Sequence, residues 1–356
     1  MSLLPTALNH YRLLGRSGLR ISPLALGTMT FGSDWGWGAD SREARRLFDF
    51  YAEAGGNFID TADFYTSGSS EKMVGEFAAM ERDRFVIATK YSLNTRPGDP
   101  NAGGNGRKNL VTSLEDSLRR LKTDYVDLYW VHAWDQVTPV DEWLRALESA
   151  VTAGKVRYIG VSDMPAWKVA QAHTMAELRG WSPLIALQIE YSLVERTVER
   201  ELVPMARDLG LGVTPWSPLA QGVLTGKYSA ADLSASSASL AEKEGRYARN
   251  LSNGRLNPRT LRIANEAKAI ALELNVSTSQ VAIAWLLAQP GVSAPILGAR
   301  TLDQLKDTVG ALKLTLDANQ LARLHAVSQV ELGFPHEFLR NDYVRNMLTG
   351  GTALYP

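Results

Sequence analysis

Cysteine is absent from the 356 residues. Its absence excludes disulfides, thiolate metal ligands and a cysteine nucleophile, and it leaves the redox compartment open. An excess of charge is missing too: Lys plus Arg and Asp plus Glu each number 38. That balance gives no electrostatic ground for expecting nucleic acid or an anionic membrane as partner. No apolar run approaches the roughly 18 residues that a membrane-spanning helix needs. The five histidines lack the spacing of metal ligands, so no metal site is expected. No G-x-G-x-x-G motif follows a strand pattern, and Gly103-Gly104-Asn105-Gly106 is only a glycine cluster in a loop, so a Rossmann cofactor site is not supported. The opening stretch MSLLPTALNHYRLLGR carries its first charge at Arg12 and lacks a basic start before an apolar core. It does not read as a signal peptide, which makes the cytoplasm the expected location.

What is present is an ordinary globular composition, 45% hydrophobic and 21% charged. Short β-rich runs fall at 24–28, 58–63, 85–90, 126–132, 156–163, 185–191, 212–217 and 294–298. Several, such as Val-Asp-Leu-Tyr-Trp-Val, are nearly all apolar, as parallel strands covered on both faces are. Between the runs lie helical periods. In one, Ala44, Leu47, Phe48 and Tyr51 share a face behind a cap at Ser41; others cover 108–121 and 277–287. Eight runs at roughly 30-residue spacing favour a closed (β/α)8 barrel, an α/β fold, over an open sheet. Residues 11–22 read as a hairpin turning at Arg16-Ser17-Gly18 and capping the barrel's bottom. The spacing breaks after Ser217, where 220–257 is a long βα loop on the face that carries active sites. Residues 99–106 form a second, solvated loop, and a C-terminal tail follows Leu316. No linker interrupts the chain, so 1–356 is expected to be one domain.

Four polar residues near the C-terminal ends of buried strands need a reason, because burying them unpaired is costly. Asp60 lies in Asn-Phe-Ile-Asp-Thr-Ala-Asp, Tyr65 five residues on, Lys90 ends the third run and His132 ends the fourth. Each alone reads more readily as structural. Together, on consecutive strands, they form a proton-transfer device. Asp60 pairs with Lys90, and Lys90 favours the Tyr65 phenolate by lowering a pKa normally near 10. The tyrosine exchanges a proton with a carbonyl oxygen while His132 donates a hydrogen bond to it. Trp35 and Trp134 are candidates for an apolar substrate wall; Trp37 is balanced between wall and ordinary packing.

Ordered segments of the chain resemble the aldo-keto reductase superfamily from about Tyr11 to Leu312. They are Leu-Gly-Thr-Met-Thr-Phe-Gly (26–32), Phe-Ile-Asp-Thr-Ala-Asp-Phe-Tyr (58–65), Gly-Arg-Lys-Asn-Leu (106–110), Arg-Leu-Lys-Thr-Asp-Tyr-Val-Asp-Leu-Tyr (120–129), Gly-Lys-Val-Arg-Tyr-Ile-Gly-Val-Ser (154–162), Leu-Gln-Ile-Glu-Tyr-Ser-Leu (187–193) and Pro-Trp-Ser-Pro-Leu-Ala-Gln-Gly-Val-Leu-Thr-Gly-Lys-Tyr (215–228). The resemblance implies the barrel, a nicotinamide cofactor, and Tyr65, Lys90, Asp60 and His132 as catalytic tetrad. It also implies cofactor contacts. Gly27, Thr28, Met29 and Asp60 belong to that set. Ser162 and Gln188 match the carboxamide partners, and Asp163 stands where the family commonly has Asn. Trp216 takes the ring-stacking place, with Trp as in the branch of potassium-channel β subunits. Ser217, Pro218, Leu219, Gln221, Gly222 and Lys227 match the pyrophosphate loop. Gly298, Arg300 and Gln304 resemble the adenosine-phosphate site, where Arg300 suits a 2′-phosphate and points to NADP(H), with NAD(H) as the alternative. Asp307 and Thr308 depart from the family's Glu and Asn.

The leading reading is an NADP(H)-dependent oxidoreductase acting on small-molecule aldehydes, ketones or the matching alcohols. A second is a cofactor-sensing regulatory subunit with slow turnover. A third, Lys90 as a Schiff-base lysine, is opposed by Asp60, whose charge keeps Lys90 protonated. Self-association and the identity of the substrate are left open by the sequence.

Overall fold

A computed structural model describes residues 4–234 and 250–352. Two short strands, β1 (Arg12–Leu13) and β2 (Arg20–Ile21), form the expected hairpin. Eight more make one parallel sheet: β3 (Ala25–Gly27), β4 (Phe58–Asp60), β5 (Val86–Tyr91), β6 (Val126–Val131), β7 (Val156–Ser162), β8 (Leu184–Glu190), β9 (Gly212–Trp216) and β10 (Ile296–Gly298). Their order is β10-β3-β4-β5-β6-β7-β8-β9. The two ends of the sheet meet at Val213, whose N–H donates to Gly291 O at 3.1 Å and whose carbonyl accepts from Ser293 N at 2.8 Å. The architecture is the (β/α)8 barrel that the strand spacing implies.

Helices alternate with the strands: α1 (Ser41–Glu53), α2 (Ser69–Ala78), α3 (Arg107–Leu121), α4 (Val140–Thr152), α5 (Ala166–Arg179) and α6 (Leu202–Asp208). Between β9 and β10 come α7 (Pro258–Leu274) and α8 (Thr278–Leu287), and after β10 come α9 (Leu302–Val309) and α10 (Ala318–Ser328). The cap of α1 is Asp40, not Ser41: its carboxylate accepts from Glu43 N at 2.8 Å, and Ser41 is the first helical residue. A carboxylate at the N-terminus also meets the positive end of the helix dipole. Of the long loop expected over 220–257, residues 235–249 lie outside the described residues, and the loop closes at the Asn257 cap of α7. No single helix among the described residues is long and apolar enough to cross a membrane.

Strand alternation sorts the core into two shells. Leu26, Ile59, Ile87, Tyr129, Val131, Leu187 and Ile189 point outward and pack under the helices. Phe58, Ala88, Leu128, Trp130 and Ala186 point inward and form the barrel's own core with Leu14 and Ile21 of the hairpin. The hairpin therefore plugs one end of the barrel. Gly15 makes this plug fit: at φ +58°, a Cβ there would lie 2.2 Å from Ile185 O. The same two-residue period carries each inward row upward from an apolar residue to a polar one. Phe58 is followed by Asp60, Ala88 by Lys90, Trp130 by His132, Gly160 by Ser162 and Ala186 by Gln188. The mouth's chemistry is thus placed by the pleat itself.

Gly160 is a tight point of the inner shell, since a Cβ there would sit 2.5 Å from the Trp130 ring. Gly160→Ala should lower stability by roughly 1–3 kcal/mol, the usual penalty for overpacking a filled core. A chemical-denaturation midpoint equal to that of the wild-type protein would refute this packing.

Candidate active site

Lys90, fully buried at the end of β5, lies at the centre of the mouth. Its Nζ donates to Asp60 Oδ1 at 2.5 Å, to Thr61 O at 2.8 Å and to Tyr65 Oη at 3.0 Å. The other Asp60 oxygen accepts from Gln188 Nε2 at 2.9 Å. A buried ion pair persists only when its remaining donors and acceptors are also met, and here they are. Burial drives the ammonium pKa down, but the Asp60 carboxylate and the Tyr65 oxygen together outweigh it, so Lys90 is held above its ordinary range. An amine held in its ammonium form is a poor nucleophile, which opposes the Schiff-base reading.

Tyr65 opens a tight turn, Tyr65–Gly68, in which Thr66 and Ser67 are left-handed at φ 45° and 55°. That costly backbone is pinned by buried Thr66, whose hydroxyl donates to Phe31 O at 2.7 Å and accepts from Ser70 N at 3.1 Å. The turn sets the phenol against Lys90 and sets its ring edge-on to His132, centroids 5.8 Å apart. The sequence led us to expect a lowered phenol pKa. The structure gives the opposite direction: burial raises it, and the attraction of Lys90 only partly offsets that. The Asp60 carboxylate, and less strongly that of Asp163, add to the rise by repelling a phenolate. His132 is pushed well below its ordinary value by burial and by Lys90, so its ring is neutral near pH 7. Its Nδ1 is buried without a partner among the described residues.

Next to this cluster stand Ser162, Asp163, Gln188 and Trp216, on the neighbouring strand ends of β7, β8 and β9. Ser162 Oγ is buried without a hydrogen-bond partner among the described residues. Asp163 Oδ1 accepts from Trp216 Nε1 at 3.0 Å, which locks the indole. The loop after β9 holds Ser217, Ala220, Gln221 and Gly222 at positive φ. Pro218 is buried within it, and Leu219 O accepts from Gly222 N at 2.9 Å. Ala220 N also donates to Ser217 O at 2.8 Å, and Pro218 has no N–H, so the turn is held by its own backbone. Lys227 Nζ lies 3.4 Å from where a Gly222 Cβ would stand, so a cation stands beside this loop. At the end of β10, Gly298 is open and Arg300 is exposed, its backbone N donating to Gln304 Oε1 at 3.0 Å.

Other expected contacts are turned inward. The Thr28 hydroxyl donates to Asp60 O at 3.0 Å, and a Cβ on Gly27 would strike Ile296 at 2.6 Å; only Met29 of that trio is exposed. The Thr308 hydroxyl bonds Gln304 O at 2.9 Å within its own helix. Asp307 accepts from Ser277 Oγ at 2.9 Å and Gln280 Nε2 at 3.1 Å, tying α9 to α8. The side chains of Thr28, Asp307 and Thr308 are thereby committed to the fold. Trp35 packs at 5.6 Å on both Trp37 and Phe64, and Trp134 packs at 5.6 Å on Trp167. Phe64 and Trp167 were missed in the sequence. Phe64 directly precedes Tyr65 and was legible there, whereas Trp167 reaches Trp134 only through the docking of α5.

A family model, Aldo/keto reductase family, matches residues 23–329. The chain belongs to the aldo/keto reductase family. A norsolorinic acid reductase of Aspergillus flavus is 36% identical over 360 residues, covering 98% of this chain and 89% of its own. An uncharacterized oxidoreductase of Bacillus subtilis, YrpG, is 40% identical over 333 residues, covering 89% and 95%. An aryl-alcohol dehydrogenase [NADP(+)] of Phanerodontia chrysosporium is 33% identical over 348 residues, covering 93% and 89%. The protein is an oxidoreductase of this family, and members of the family use nicotinamide cofactors.

Behind Tyr65 lies a carboxyl of a different kind. Asp63 is buried, and neither oxygen has a hydrogen-bond partner among the described residues. Burial, and then the charge of Glu71, push its pKa up to about 8, against the pull of Arg120. Between its unfolded and its raised folded pKa the carboxyl is protonated in the folded chain alone, so stability falls as pH rises from about 4 to 8. Asp63→Asn should therefore gain roughly 1–3 kcal/mol over wild type above neutral pH and little near pH 4. Thermal melts of both proteins across that range check the sign; an Asn variant that loses stability at high pH contradicts it.

Proposed function

We propose that the protein is an NADP(H)-dependent reductase interconverting an aryl aldehyde or ketone and its alcohol, with Tyr65 as proton donor and acceptor. The observation that carries this reading is the buried Asp60–Lys90 pair with the Tyr65 hydroxyl 3.0 Å from the ammonium. When bound, the nicotinamide supplies or accepts the hydride. The chain's own residues handle the proton. In reduction, Tyr65 Oη–H gives its proton to the carbonyl oxygen, and the resulting phenolate is stabilised by the Lys90 ammonium. In oxidation the phenolate takes the alcohol proton back. Asp60 holds Lys90 charged throughout. His132, neutral at physiological pH, orients the carbonyl by a hydrogen bond and is a poor rival as acid.

The donor set fits the cofactor. The unpartnered Ser162 hydroxyl, Asp163 and Gln188 suit the carboxamide, and Trp216 offers an indole face held by Asp163. Lys227, beside the left-handed loop 217–222, suits a pyrophosphate. Gly298 and Gln304 frame Arg300, whose planar guanidinium suits a 2′-phosphate. The aromatic groups Trp35–Trp37–Phe64, beside Tyr65, and Trp134–Trp167, beside His132, support a planar substrate. The names of the Phanerodontia and Aspergillus relatives support the same class.

Tyr65→Phe keeps the ring and removes only the hydroxyl. Turnover of aryl aldehydes with NADPH should fall about 10²–10⁴-fold with cofactor binding intact, while His132→Gln keeps more activity. The reverse ranking, with binding intact in both, would transfer the donor role to His132.

Arg300→Ala removes one charge-assisted contact worth about 1.5–3 kcal/mol, so NADPH affinity should drop roughly ten- to hundredfold while NADH affinity is nearly unchanged. Equal losses in cofactor titrations would show that Arg300 does not read the 2′-phosphate.

A further inference from the structure

A carboxylate stands among the groups given above to the nicotinamide. Asp163 follows Ser162 at the end of β7 with a left-handed backbone, φ 45°, which aspartate and asparagine tolerate better than most residues. Its N–H donates to Gln188 O at 3.3 Å and its Oδ1 accepts the Trp216 indole N–H at 3.0 Å. The carboxyl is therefore fixed against the indole and strand ends, not swinging freely. It makes no ion pair among the described residues. The charged groups facing it are already paired: Lys90 of β5 with Asp60, and Glu190 of β8 with Arg255. Tyr65 is protonated and brings no charge. An uncompensated negative charge thus lies open to the cleft beside Trp216.

Resting on the cofactor reading above, we propose that Asp163 makes the site discriminate between cofactor redox states, favouring the oxidised nicotinamide over the reduced one. The reason is elementary. The oxidised ring is cationic and the reduced ring neutral, whereas the adenosine, pyrophosphate and 2′-phosphate are common to both. A carboxylate near the ring attracts only the cation. Burial raises the Asp163 pKa to about 6, against the pull of the Trp216 indole and Lys90. The preference should therefore grow as pH rises through that value and fade below it.

The test compares dissociation constants for NADP+ and for NADPH, measured separately by tryptophan fluorescence on full-length wild type and on Asp163→Asn. The quantity read is the ratio of the two constants, in which titration of the shared 2′-phosphate cancels. At about pH 8, wild type should favour NADP+ over NADPH about 5- to 30-fold more than Asp163→Asn does, the range for a partly solvent-screened charge pair. Near pH 5 the two proteins should converge. If both cofactor forms bind and the ratio is the same in both proteins, the cofactor reading stands and this inference falls. If wild type binds neither form, the site reading falls and takes the inference with it. Should Asp163→Asn fail to fold, Asp163→Ser removes the same charge and gives the same comparison.

Discussion

The mouth of this barrel is organised by one buried ammonium. Lys90 has no access to water, and a charge in that position is stable only if its surroundings answer it completely. Asp60, the Thr61 carbonyl and the Tyr65 hydroxyl take its three N–H groups, and Gln188 takes the other Asp60 oxygen. These partners come from β4, the turn after it, and β8 across the barrel. Moving any of them leaves a buried charge unmet, so the ion pair fixes the turn that carries Tyr65 as firmly as the turn fixes the ion pair. The strained left-handed residues Thr66 and Ser67 are tolerable for the same reason: the surrounding contacts over-determine them.

The Asp60–Lys90 pairing changes what Lys90 does for Tyr65. A free ammonium at 3.0 Å makes a phenol acidic, but this one is already neutralised by Asp60, and the phenol is buried. The result is a tyrosine held in its protonated form. His132, kept neutral by burial and by the same lysine, is left as a hydrogen-bonding group. The two titratable groups are pushed in opposite directions, the phenol up and the imidazole down.

Much of this was legible in the sequence because the pleat has a period of two. Once Phe58, Ala88, Trp130 and Ala186 are seen as inward core, Asp60, Lys90, His132 and Gln188 must also face inward, one step higher. The barrel followed from eight parallel-type runs, and the hairpin plug from its turn residues. Details set by tertiary competition were not legible. The run 58–63 reads as one strand, yet β4 ends at Asp60 because the following residues turn away to form the Tyr65 loop. Asp40 took the cap from Ser41 because its carboxylate reaches the free N–H. The resemblance gives Thr308 and Asp307 to the cofactor, but their polar atoms serve the packing of α9. The direction of the Tyr65 shift depends on how deeply the phenol is buried, which strand patterns do not report.

The central claim is that Tyr65 is a protonated phenol held beside a neutralised lysine, and a direct titration tests it. Phenolate absorbance is followed against pH in wild type, with Tyr65→Phe subtracted so that the difference reports this one residue. The account predicts no Tyr65 phenolate until the pH exceeds the ordinary tyrosine value of 10.0. A phenolate signal appearing near neutral pH would contradict it and show that Lys90 governs the phenol despite Asp60.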